Sequence, residues 1–173
     1  MLLLVWRPQR LARLVSLRFK PRLDATVPGV LSQREMETIV AFAAVLVEGR
    51  ELDAQEASYV VEHITDKAGK RPGYLALYRK TAGLLDRLAG APFSSLSLER
   101  RIGLMTKHRF TEYDVRIREY LLPYGREILT VRALAVPDLI AGYYFSPAGW
   151  AAVGYRAFPG RCGDLMRYTS AEA

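Results

Sequence analysis

At 173 residues, half of them hydrophobic and a quarter charged, the chain has material for one domain with a sizeable core, too little for two comfortable ones, and a composition that excludes a disordered or collagen-like polymer. Its net charge of +7 is unevenly placed: Arg7, Arg10, Arg13, Arg18, Lys20 and Arg22 all precede the first acid, Asp24, so the rest of the chain is close to neutral. That asymmetry, and the lack of a recognisable recognition motif, count against a nucleic-acid-binding domain.

Residues 1–30 read as a basic amphipathic segment and linker. The apolar run Met1 to Trp6 is shorter than the roughly 7 to 15 residues of a secretory core and the roughly 20 that span a bilayer. The charges follow that run instead of preceding it, and Pro8 and Gln9 separate Arg7 from Arg10, so no twin-arginine pair occurs. The expectation is no signal peptide and no transmembrane helix, with cytoplasmic and periplasmic placements both open. After Pro8, Leu11, Leu14, Val15 and Leu17 share one helical face. Such a helix either lies on an anionic membrane surface through Arg7, Arg10, Arg13, Arg18 and Lys20, or packs on its own domain or a partner.

Residues 31–142 read as one all-α domain of about six helices. Ser32 and Glu35 form a capping box that opens the first helix, Ile39 to Val47 is apolar on every side and belongs at the centre of the domain, and Gly49 ends it. A second capping box, Asp53 with Glu56, starts a helix whose Ala57, Val60, Val61, Ile64 and Ala68 form one packing face, closed by Gly69. Pro72 suits the first turn of a third helix that buries Tyr74, Leu77, Tyr78, Leu84, Leu85 and Leu88 and stops at Gly90. Ser97 is placed to cap a fourth with Leu98, Ile102 and Met105 inward, and Thr111 a fifth with Tyr113, Ile117, Tyr120 and Leu121, limited by Pro123. Ile128 to Ile140 is a second buried helix, with a kink or break expected near Val136 because of Pro137. No stretch alternates like a strand, and no long repeat occurs.

Residues 143–173 differ in character, with aromatics interleaved among Pro147, Gly149, Gly154, Pro159, Gly160 and Gly163. Pro and Gly at that density oppose helix, whereas aromatics need burial, so the segment is expected to be an extended tail wrapping its own domain or a partner. In the second case Tyr143, Tyr144, Phe145, Trp150 and Tyr155 are the anchors. Cys162, the only cysteine, reads as an inert buried thiol, as a reactive thiol, or as half of an intermolecular disulfide, and in the last case joins the partner-binding residues.

The chain carries neither a GxGxxG nor a Walker A loop, which gives no standard grip for flavin or nucleotide. Its two histidines, His63 and His108, fall on separate predicted helices, and Glu62 points to a different face from His63. The expectation is no catalytic residue, no metal site and no cofactor in this chain, with each histidine on the surface or at a helix end.

Two stretches resemble the gluconate 2-dehydrogenase subunit 3 family, the small subunits of flavoprotein dehydrogenases of the glucose-methanol-choline type. They are "LSQREMETIVAFAAVLVEG" with the following "GYLALYRKTAGLLDRLAGAPFSSLSLERRIGLM", and the closing "GYYFSPAGWAAVGYRAFPGRCGDLMRY", together spanning about Leu31 to Thr169. Neither motif is catalytic. The resemblance implies a non-catalytic subunit that stabilises a large FAD-dependent sugar or alcohol dehydrogenase subunit and aids its maturation or export, the FAD residing in the partner. It also implies a cytochrome or quinone acceptor downstream. Many members of that family carry a twin-arginine signal, from which this N-terminus departs. A stand-alone peripheral membrane protein or a nucleic-acid-binding helical protein is the alternative reading.

Overall fold

The computed structural model describes residues 29–71, 73–112, 114 and 117–154. Among them the fold is all-α, with no strand. α1 (Gln33–Val47) starts where Ser32 accepts from the Glu35 amide and Glu35 reaches back to the Ser32 amide, and α2 (Ala54–Lys70) repeats this reciprocal cap with Asp53 and Glu56. Each box satisfies two helix-end donors that would otherwise lack a partner. α1 is the central helix: Ile39, Phe42 and Ala43 are fully buried, and α3 (Tyr74–Ala89) and the late helix α6 (Val136–Tyr144) pack against it. The Phe42 ring sits edge-on to Phe93 (6.3 Å) and Phe110 (5.5 Å), an arrangement that adds ring electrostatics to burial.

α1 and α3 end as their glycines require. Gly49 and Gly90 take left-handed conformations (φ 62° and 68°) that other residues adopt at a cost. α2, by contrast, runs through Gly69 to Lys70, since that glycine stays helical and Arg71 is the cap. α3 is capped by Gly73, so its first turn begins after Pro72, a residue outside those described.

Three further departures have local causes. In α4 (Leu98–Lys107), Met105 is buried as expected, but Ile102 is exposed and Arg101 takes the inward position. The Arg101 guanidinium forks onto Glu51 at 2.6 and 3.1 Å and its Nε donates to the Leu96 carbonyl, so a charged side chain is buried with its donors engaged. The helix expected to start at Thr111 is only a 3-10 turn, Ile117–Leu121; Tyr113 lies outside the described residues. Arg132 donates to the Glu112 and Asp114 carbonyls, and Arg109 forks across Glu112, Asp114 and Glu119, so arginines hold this segment instead of a helical ladder.

At Pro137 the helix does not break. α5 (Gly125–Thr130), a π-helical turn (Val131–Ala135) and α6 form one rod, because the caps between them keep right-handed helical dihedrals. Proline lacks an amide hydrogen and its ring crowds the carbonyl four residues back; one widened turn just before it relieves both without a break. With the rod counted as one helix, the described residues hold six, the last being α7 (Pro147–Ala152).

Over residues 143–152 the structure corrects the expectation of an extended tail, while residues 155–173 of that expected tail lie outside the described residues. Tyr143 and Tyr144 are the last residues of α6, and Pro147 opens α7 behind Ser146, whose hydroxyl accepts from the Gly149 amide. Proline at a first helical position initiates instead of breaking. Gly149 is there for space, since a Cβ would collide with the Tyr143 carbonyl.

Candidate functional site

Asp138 is the one carboxylate inside the apolar run from Ile128 to Ile140, and the fold buries it. Three groups converge on it: Lys67 Nζ at 2.8 Å on Oδ1, with His63 Nε2 at 3.2 Å and the Tyr78 hydroxyl at 2.5 Å on Oδ2. His63 and Lys67 are four apart on α2 and share a face, Tyr78 comes from α3 and Asp138 from α6, so one carboxylate joins three helices. Gly142, one turn beyond Asp138, lets α6 approach closely; a Cβ there would meet the His63 ring at 2.5 Å. Lys67 also lies 5.0 Å from the centre of the Tyr74 ring.

Burial alone would raise the Asp138 carboxyl, but the hydrogen bonds from His63, Lys67 and Tyr78 outweigh it and hold its pKa down to about 2. Burial and the adjacent carboxylate push the Tyr78 phenol well above its ordinary value. Both oxygens of Asp138 are thus occupied by internal donors, and the arrangement works as a clamp.

A second buried carboxylate ties α2 to the end of α6. Glu56 accepts a fork from Arg50 at 2.6 and 2.8 Å, caps Asp53, and accepts from the Tyr143 hydroxyl at 3.1 Å. The Arg50 bonds are the main reason its pKa is lowered to about 2, and the Asp53 cap adds to them.

These contacts divide the aromatic residues expected as partner anchors. Tyr143 is fully buried, Tyr144 is half-buried with its hydroxyl on the Val47 carbonyl, and Trp150 is half-buried on α7. Phe145 alone of these four points outward, 80% exposed at the corner between α6 and α7. Tyr155 and Cys162 lie outside the described residues, as do Arg7, Arg10, Arg13, Arg18 and Lys20.

The sequence reading missed the Asp138 clamp. His63, expected on the surface or at a helix end, is instead half-buried against Asp138; His108 does cap the end of α4. The available signal was an acid in a run with no wet face, together with a His and a Lys four apart on an amphipathic helix. Among the described residues no group of three or more His, Cys, Asp or Glu side chains is placed to hold a metal ion, and no helix is long and apolar enough to cross a membrane.

The chain matches no family model, no curated protein and no solved structure. A functional reading therefore rests on the residues and their arrangement.

Proposed function

We propose that the chain is a non-catalytic small subunit that docks on and stabilises a large FAD-dependent sugar or alcohol dehydrogenase subunit. The order of its sequence features, which resembles the gluconate 2-dehydrogenase subunit 3 family, supplies the identity of the partner. The observation that carries the docking role is Phe145. It follows two tyrosines whose rings and hydroxyls serve this domain, yet it presents a whole phenyl ring to water at a helix corner. An exposed aromatic on a helix corner buries a large area on contact while losing little side-chain freedom, the usual profile of an interface anchor. In this reading the FAD and the hydride transfer belong to the partner, and electrons leave through a cytochrome or quinone acceptor.

Co-expression with a large FAD-dependent sugar or alcohol dehydrogenase subunit, followed by affinity purification, tests the proposal. A yellow, stoichiometric complex is expected. Phe145→Ala should weaken that complex by about tenfold to a hundredfold, roughly 1.4 to 2.8 kcal/mol, while leaving the melting temperature of the small chain unchanged. Flavin absorbance in the small chain purified alone, or undiminished affinity in Phe145→Ala, would sink the assignment.

A further inference from the structure

α3 and the α5 end of the rod diverge enough to leave a groove of about 510 Å³ between them. On α3, Leu77, Lys80, Gly83 and Arg87 recur every three or four positions and so share the face that looks into it. Buried Leu77 gives the groove an apolar floor. Arg79, Lys80 and Arg87 from α3 and Arg126 from α5 bring four cations to its walls, and Glu127 is the single carboxylate among the lining residues. Arg79 donates to the Val30 carbonyl at 2.8 Å with its Nε 3.9 Å from the Glu35 carboxylate, Arg87 pairs with Glu127 at 2.8 Å, and Lys80 is engaged as well. The cations are thus positioned by the domain, while their number still exceeds that of the nearby carboxylates Glu35 and Glu127. Gly83 keeps the middle open, since a Cβ there would meet only an Arg87 nitrogen, at 3.5 Å.

The size and chemistry limit what fits. The volume lies within the range of small-molecule sites, roughly 300 to 1,000 Å³, and is far smaller than the track a nucleic-acid duplex needs. Like charges gathered in a concave, partly apolar cleft focus a positive potential on whatever enters, and guanidinium forks match phosphate oxygens two at a time. We propose that this groove binds a small molecule carrying a chain of two or three phosphates. The source is either a nucleoside polyphosphate, with its base and sugar on the Leu77 floor, or an inorganic polyphosphate chain. The site owes nothing to a glycine-rich phosphate loop, which the sequence lacks, and it is independent of the docking role.

Calorimetric titration of the full chain with ADP and, separately, with inorganic tripolyphosphate tests the proposal at near-physiological salt. At least one should bind with a dissociation constant below about 1 mM. Tighter binding of ADP identifies the nucleoside source, and tighter binding of tripolyphosphate the inorganic one. The double variant Lys80→Glu/Arg126→Glu should weaken binding at least tenfold. Gly83→Met, which retains every charge and fills the cleft from a helical position, should do the same without lowering the melting temperature. No binding of either probe overturns the proposal. So does affinity unchanged in both variants, since the anion would then be held elsewhere, as on the arginines of residues 1–22.

Discussion

Asp138 is the residue on which the packing of three helices turns, and its environment fixes what its loss must do. Asp138→Ala removes the only carboxylate facing Lys67 and His63 in the clamp and leaves the Tyr78 hydroxyl without its acceptor. Breaking a buried ionic cluster from one side costs about 3 to 5 kcal/mol, so this variant should unfold at markedly lower urea than the parent chain. Gly142→Ala should cost about 1 to 3 kcal/mol by driving a methyl group into the His63 ring, although alanine is the better helix former. Titration gives an independent check. The Asp138 pKa is about 2 folded against 3.8 as the ordinary value, so its contribution of about 2 kcal/mol is full above pH ~4 and is lost as pH falls through ~2. Glu56, lowered likewise to about 2, acts in the same window and with the same sign. Urea melts between pH 2 and 5 should show stability falling towards acid, and Asp138→Asn should flatten part of that slope. An identical slope in the variant would mean that folding does not lower the Asp138 pKa. The clamp was invisible to periodicity because its members lie up to 75 positions apart, and only the oddity of one acid in an apolar run marked it.

At the scale of elements, helix starts were legible wherever a side chain closes a reciprocal bond. Ser32 with Glu35 and Asp53 with Glu56 are local, four-residue statements, and both form as the sequence implied. Ser97 sits at the same position of α4 without bonding a backbone amide. Ser32→Ala and Asp53→Ala should therefore each cost about 1 kcal/mol in a denaturant titration, and Ser97→Ala no more than a few tenths. Equal costs at all three positions would contradict the capping geometry. What stayed illegible was the meaning of proline and glycine near the end of the described chain. The same residues that break helices from within start them at the first turn, and Ser146 before Pro147 was the cue to the second role. The segment after Thr111 misled in the opposite direction, because its described carbonyls and carboxylates are bonded by Arg109 just before it and by Arg132 from the rod.

For the whole molecule, the buried residues among those described run from Thr38 to Gly149, while most of the excess positive charge precedes Asp24. Deleting Met1 to Arg22 should leave a cooperative thermal melt by circular dichroism and weaken binding to anionic vesicles, because juxtamembrane cations each contribute about 1 kcal/mol near such a surface. Loss of the cooperative melt would place that segment in the core instead. The all-α class and the central position of α1 were readable from composition and period, since they depend on how much apolar surface there is and where it recurs. The outward turn of Phe145 beside two inward tyrosines was not, because partners as distant as Val47 and Glu56 decide which ring is retained.

The route of the chain also has a consequence during synthesis. Tyr144 bonds Val47 across 97 positions, Tyr143 bonds Glu56 across 87, and Asp138 reaches His63 across 75. The rod that completes the space between α1, α2 and α3 therefore leaves the ribosome well after all three. Until it does, Ile39, Phe42, Val60 and Ile64 have no finished interior to enter, and a nascent chain of three amphipathic helices offers them to chaperones and to other unfinished chains. Stalling translation before the codons for α6 should leave a product that proteases digest readily, and resistance should appear in a single step once Tyr143 and Tyr144 are free to reach back.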